Sequence, residues 1–187
     1  MGLRDRFPGP LLRRLYRLDV HGLVPPGPCI VVANHESLLD PVLLPLAARE
    51  PLCFMAKEEL FRPRLAAALL EALGAFPVGR GRGDRASLDG GAELLEAGAA
   101  LAIFPAGTVS GGPWHRGAAR LALRTGAPLV PVRIVGSARA LSRGRIGLPR
   151  IAIVVGEPIP VERATPTVAT ARALTDAARN AVSTLSP

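Results

Sequence analysis

The residues best suited to chemistry fall in three polar or glycine-rich clusters: Asn34 to Asp40, residues 79–83, and residues 105–110. In the first, a histidine is followed five positions on by an aspartate. A carboxylate set against one imidazole nitrogen leaves the other free to take a proton from a hydroxyl. Spacing restricts how the two can meet. Within one regular helix, residues i and i+5 lie about 140° apart, so His35 must precede a helix whose first turn holds Asp40. Pro41 marks such a first turn. The same residues also fit an Asp40 that caps the helix beside a His35 that merely occupies a loop, because aspartate before proline is a common helix start.

The second cluster puts Arg80 and Arg82, followed by Arg85, in a glycine-rich loop. Guanidinium groups and backbone amides there can hold a phosphate or form a solvated surface. In the third, Gly107 and Thr108 follow an apolar run and fit a strand-to-helix turn. No Gly-x-Ser-x-Gly occurs, and neither Cys29 nor Cys53 sits in an activating setting.

The elements that must position these clusters alternate along the chain. Short apolar runs predict strands over 28–33, 52–56, 75–78, 100–104, 129–135 and 151–155, with Pro131 placing its strand at an edge or a strand end. Helical patterns predict helices over 38–49, 58–73, 86–97, 115–125 and 166–185, with Gly74 and Gly98 as stop signals. Strand–helix alternation implies an α/β fold, a single domain with a largely parallel or mixed central sheet flanked by helices. In open sheets of this kind reactive groups gather beyond the carboxyl ends of the strands, where all three clusters fall.

Composition agrees with one folded domain. The chain has 187 residues, 49% hydrophobic and 20% charged, far from the disordered signature. It divides into a basic amphipathic segment over 1–17, a core over 18–160 and a C-terminal helix over 165–187, with no linker or repeat. No apolar run reaches the ~18 residues of a membrane span, and Arg4, Asp5, Arg6, Arg13 and Arg14 in place of a secretory apolar core predict no signal peptide. The two cysteines lack disulfide or zinc spacing and read as buried reduced thiols of a cytoplasmic protein, with no metal site. The formal charge of +8, carried almost wholly by arginine because Lys57 is the single lysine, points to an anionic partner. Scattered arginines and the absence of an aromatic stacking array argue against nucleic acid. The arginine, alanine, glycine and proline bias suggests a G+C-rich bacterial genome.

Asn34-His35-Glu36-Ser37-Leu38-Leu39-Asp40 resembles the His-x4-Asp motif of the glycerolipid acyltransferase family, the lysophosphatidic acid and glycerol-3-phosphate acyltransferases of phospholipid biosynthesis. The resemblance continues in order through Phe54-Met55-Ala56-Lys57-Glu58-Glu59-Leu60, Gly74-Ala75-Phe76-Pro77-Val78-Gly79-Arg80, Phe104-Pro105-Ala106-Gly107-Thr108, Gly117-Ala118-Ala119-Arg120-Leu121-Ala122 and Val130-Pro131-Val132. It spans roughly residues 16–160 and implies the glycerolipid acyltransferase fold. It implies that His35 is the general base on an acceptor hydroxyl, that Asp40 orients the imidazole, and that acyl-CoA or acyl carrier protein donates the acyl group with no further cofactor. Arg80, Gly107 and Thr108 inherit acceptor binding, with Lys57, Arg82 and Arg116 as further anion-binding candidates. The implied acceptor is a lysophospholipid, by default 1-acyl-glycerol-3-phosphate.

The third block departs from the family pattern Phe-Pro-Glu-Gly-Thr-Arg-Ser, because the Glu is Ala106 and the Arg is Val109. Either other groups hold the phosphate, such as Arg80, Arg82, His115 or Arg116, or the acceptor is a sugar, polyol, amine or specialised-metabolite hydroxyl. A non-catalytic lipid-binding member is a rival reading. The stretch over 4–17 mixes Phe7, Leu11, Leu12, Leu15 and Tyr16 with five arginines. It fits peripheral attachment to the anionic inner face of the cell membrane and, equally, a helix packing Leu and Tyr on the core with Arg outward.

Overall fold

The computed structural model describes residues 9–57, 61–72, 74–78, 83–109, 111–142 and 145–187. The strands, in chain order, are β1 (Asp19–His21), β2 (Ile30–Ala33), β3 (Leu52–Lys57), β4 (Ala75–Val78), β5 (Ala100–Ile103), β6 (Leu129–Val135), β7 (Leu141–Ser142), β8 (Arg145–Ile146) and β9 (Ala152–Val155). Seven form one sheet in the order β1-β9-β6-β2-β5-β3-β4, while β7 and β8 pair separately. β2 to β6 are mutually parallel. β9 runs antiparallel to β6 and parallel to β1, so the sheet is mixed.

The central strand β2 is buried on both faces, as its unbroken Ile30-Val31-Val32-Ala33 run requires. Val31 and Ala33 join a core beneath α1 (Gly9–Leu15), α2 (Asp40–Leu43) and α3 (Arg64–Ala72). Ile30 and Val32 join the opposite core beneath α4 (Gly83–Glu96), α5 (Gly117–Thr125) and α6 (Val168–Thr184). α6 opens on a capping box in which the Thr167 hydroxyl accepts from the Thr170 N–H and the Thr170 hydroxyl accepts from the Thr167 N–H.

The single α/β domain with a mixed sheet is as the sequence predicts, and the departures have local causes. The helix expected over 38–49 is only one α-turn, α2, followed by a 3-10 turn over Leu44–Ala47. Pro45 has no N–H to return to the Pro41 carbonyl, so the α-pattern cannot continue. The helix expected over 58–73 begins at Arg64, where the Pro63 carbonyl accepts from the Ala67 N–H; residues 58–60 and 73 lie outside the described residues. α4 starts three residues earlier than expected, at Gly83. α5 starts at Gly117, because the His115 N–H is bound to the Pro105 carbonyl (2.9 Å) and holds that segment out of the helix.

Pro131 does not mark an edge, because β6 lies inside the sheet. Val132 pairs with Val155 whereas Leu129 bridges Ile159, so residues 156–158 oppose 130–131 in a bulge. The Pro131 carbonyl accepts from the Gly156 N–H there (2.8 Å), and its own missing N–H breaks no ladder. The sequence patterns also missed β1 and the β7–β8 ladder, two or three residues per strand being too short to show a period.

The N-terminal helix α1 resolves toward the packed alternative in part. Leu12 and Tyr16 pack on the core and Arg13 donates to the Leu46 carbonyl (2.6 Å), yet Leu11 and Leu15 stay exposed. Residues 4–8 lie outside the described residues. Among the described residues no helix is long and apolar enough to cross a membrane.

Both cysteines are free, Cys29 buried and Cys53 half-buried. Burial, and then the Glu50 charge, push the Cys29 thiol from its ordinary 9.0 up to about 11. Folding thus favours the neutral thiol. Its contribution to stability is intact below 9.0 and is lost as pH rises toward about 11. Denaturation midpoints should fall across that window, and less steeply in Cys29→Ala. Gly136, at φ +90° after β6, has no room for a Cβ, which would collide with the Arg150 carbonyl oxygen. Gly136→Ala should cost about 2 kcal/mol or more, seen calorimetrically as a Tm lower by roughly 4 °C or more.

Candidate active site

The site begins where β2 runs out. Ala33 is the last paired residue, opposite Val132, and Asn34 then replaces the backbone ladder with its side chain. Its Nδ2 donates to the Ile134 carbonyl (2.8 Å) and its Oδ1 accepts from the Ile134 N–H (2.7 Å). Asn34 therefore anchors the turn to β6 and fixes where His35 leaves the sheet.

His35 and Asp40 meet as the spacing requires, with the histidine in the loop and the aspartate opening α2. Nδ1 lies 2.9 Å from Asp40 Oδ2, with the His35 side chain 13% exposed and Asp40 fully buried. The same Oδ2 accepts the backbone N–H groups of Glu36 (2.7 Å) and Ser37 (2.8 Å). The alternative in which Asp40 caps its own helix is not what forms, since its carboxylate turns back into the preceding loop. Leu39 occupies the cap position without a side-chain bond. An ionised carboxylate can only accept, so Nδ1 carries the proton and Nε2 is left as the basic nitrogen.

The imidazole rests on an aromatic floor. Phe104, the first residue after β5, stacks against it with ring centroids 4.3 Å apart and planes inclined by 24°, and Phe54 on β3 follows Phe104 at 6.4 Å. The ends of β2 and β5, backed by the middle of β3, thus fix the ring plane. Sequence reasoning assigned no role to Asn34 or Phe104, although both stand inside the recognised blocks. A polar residue directly after a fully buried strand, and an aromatic at the matching end of its parallel neighbour, are the signals that identify them.

Phe104 also opens the turn of the third block. The Gly107 N–H donates to the Phe104 carbonyl (3.0 Å), with Gly107 at φ +67° facing the His115 ring. Thr108 Oγ1 donates to the Gly111 carbonyl (3.0 Å) and shapes the following loop. Gly107 and Thr108, two of the three expected acceptor-binding residues, therefore stand on the turn that supports His35. Ala106 is half-buried, and Val109 is 40% exposed. The amides of Glu36, Ser37 and Gly107 already have acceptors and are not free to bind an oxyanion in this conformation.

The remaining expected residues are dispersed. Lys57 ends β3. Arg80 and Arg82 lie outside the described residues. Arg116 lies beside α5 in a groove against α6, and no described contact links it to His35. Among the described residues no group of His, Cys, Asp or Glu could hold a metal ion.

Comparison with known proteins gives this geometry its context. The profile of the family described as Acyltransferase matches residues 17–135. A chloroplastic 1-acyl-sn-glycerol-3-phosphate acyltransferase of Brassica napus is 30% identical, covering 77% of this chain and 45% of its own length. The 1-acyl-sn-glycerol-3-phosphate acyltransferase of Bacillus subtilis is 29% identical, covering 70% of this chain and 66% of its own. A lyso-ornithine lipid O-acyltransferase of Pseudomonas aeruginosa is 35% identical, covering 72% and 60% respectively. The chain thus spans between about half and two thirds of the length of these relatives. In fold it is similar to the crystal structure of the LPA acyltransferase PlsC of Thermotoga maritima, with a TM-score of 0.67 at 23% identity over 99% of this chain and 81% of that one. The matched stretch takes in well over half of the chain, including His35, Asp40 and the Phe104 turn, and the chain belongs to the acyltransferase family.

Proposed function

We propose that this protein is an O-acyltransferase that moves a fatty acyl group from a thioester to the hydroxyl of a lysophospholipid, by default 1-acyl-glycerol-3-phosphate. The observation that carries the reading is the His35–Asp40 pair, 2.9 Å apart, with a buried carboxylate and a ring held on Phe104. Nε2 takes the proton of the acceptor hydroxyl as its oxygen attacks the thioester carbonyl carbon. The tetrahedral intermediate expels the thiolate, which recovers that proton from Nε2, leaving an ester and a free thiol. Asp40 stabilises the imidazolium formed in between. No enzyme nucleophile is needed.

A second reading concerns the acceptor. Ala106 and Val109 stand where the family pattern has a Glu and an Arg, and the charge-assisted bond that a guanidinium at 109 could donate to phosphate is worth roughly 1.5 to 3 kcal/mol. The similarity to a lyso-ornithine lipid O-acyltransferase favours an acceptor whose headgroup carries no phosphate. Association with an anionic membrane surface, where either acceptor would reside, is supported by α1. It exposes Leu11 (62%) and Leu15 (40%) beside Arg13 and Arg14.

His35→Ala should lower turnover by about 10² to 10⁴-fold while circular dichroism and Tm stay near wild type. A folded variant with wild-type turnover contradicts the assignment. Asp40→Asn keeps an oxygen for the Glu36 and Ser37 amides but removes the charge, so its rate should fall on the order of 10²-fold or more, out of proportion to its loss of stability. Asp40→Ala also orphans those two amides and should lose about 1 to 3 kcal/mol per group in addition.

Mass spectrometry of products from lysophosphatidic acid and lyso-ornithine lipid, each with acyl-CoA and with acyl carrier protein, separates the acceptors. Under the second reading the double variant Ala106→Glu, Val109→Arg should shift turnover toward lysophosphatidic acid. Release of no thiol with any hydroxyl acceptor would leave a lipid-binding protein without catalysis.

A further inference from the structure

A groove of about 850 Å³ runs between residues 113–120 and α6, on the sheet face opposite α2. Its rim carries Arg116, Arg120, Arg172 and Arg179 against the single acid Asp176, which lies 3.9 Å from Arg172. The Arg116 and Arg179 side chains are exposed and form no ion pair among the described residues. Below the rim Thr167 and Thr175 alternate with Trp114, Val168 and Ala171, and a small cavity under Trp114 and His115 reaches Pro105, Ala118 and Val32. An arginine rim over a lining of mixed polarity suits a ligand that joins phosphates to a less polar body.

The groove touches the catalytic turn from behind. The His115 N–H is bound to the Pro105 carbonyl, and Pro105 follows Phe104, on which the His35 ring lies. In the sheet order β6, which α6 covers, stands on one side of β2. β4 ends the sheet on the other side. Arg172 and Arg179 lie beyond residues 17–135, so half of this rim is supplied by a helix outside the stretch that matches the family.

We infer that the groove between residues 113–120 and α6 holds the phosphates of a coenzyme A thioester, the acyl donor. This rests on the acyl-transfer reading for its reaction but not for its binding. The size favours a small ligand: sites for cofactor-sized molecules span about 300 to 1,000 Å³, whereas docking a carrier protein calls for a broad interface of roughly 1,000 Å² or more. The phosphates would sit against Arg116 and Arg179, with the pantetheine arm passing over the Phe104 turn to bring the thioester to His35.

Titration calorimetry with free coenzyme A, on the wild type and on the double variant Arg116→Gln, Arg179→Gln, tests the binding. Both residues are exposed, so folding should survive, and circular dichroism checks it. Affinity should fall about tenfold or more, and its dependence on salt should weaken. In steady state the variant should raise KM for acyl-CoA while leaving KM for the lysophospholipid in place. Equal coenzyme A affinity in both proteins overturns the inference even if acyl transfer is robust. Wild-type binding that the variant loses supports it even if no transfer is seen, in which case the functional reading falls alone. A raised KM for acyl carrier protein without one for acyl-CoA overturns it in favour of a protein donor. A raised KM for the acceptor instead returns Arg116 to the acceptor site.

Discussion

A buried carboxylate organises this molecule. Asp40 is wholly withdrawn from water, and an isolated charge there would be very costly. It is held because three N–H groups converge on one of its oxygens: those of Glu36, Ser37 and the His35 ring. Charge-assisted bonds of this kind are about twice as strong as neutral ones, and two of the three come from backbone whose path they dictate. The loop from β2 into α2 is therefore wound around the carboxylate, and the histidine has one orientation available. The second oxygen, Oδ1, is buried without a partner among the described residues. The electrostatic support of Asp40 is thus concentrated on the side that faces His35.

The sheet supplies what the carboxylate cannot, a fixed starting point for the loop. β2 lies between β6 and β5, and each neighbour contributes one contact at its carboxyl end: Ile134 receives the Asn34 amide, and β5 delivers Phe104 beneath the imidazole. From these strand ends the chain departs to opposite faces, through α2 after β2 and through α5 after β5. A crevice at such a divergence is where open α/β sheets place their chemistry. Here it leaves Nε2 without a described partner at the rim and Nδ1 locked within.

Much of this was legible before any coordinates. Apolar runs located every strand of the central sheet but β1, because residues buried on both faces leave no polar punctuation inside a strand. The His-x4-Asp spacing required a loop histidine and a first-turn aspartate, and that is the observed arrangement. What could not be read depended on partners distant in sequence. Pro131 is harmless inside the sheet only because residues 156–158 bulge against it. The shortening at His115 comes from a bond to Pro105, ten residues away. Asn34 works through Ile134, a hundred positions on. Local propensity has no access to such pairings. The prolines within α2 and its continuation were visible, but their effect on hydrogen-bond pattern outweighed an apolar periodicity that read as one long helix.

The separation between the turn that supports the histidine and the side chains it displays explains how the chain can carry apolar Ala106 and Val109 on a turn beside the histidine. The shape of the Phe104 turn rests on the Phe104 stack, the bond from the Gly107 amide and the positive φ of Gly107, none of which involves the side chains at 106 or 109. Val109 projects into solvent and Ala106 carries no polar group, so neither restrains the ring above. Exchanging charged for apolar groups there leaves the contacts that hold the His35 ring in place. Conversely, a change at Phe104, Gly107 or Asn34 would disturb the base whatever the headgroup. The side chains at 106 and 109 and the contacts that hold the His35 ring thus belong to different atoms of one short turn, and the first can vary without disturbing the second.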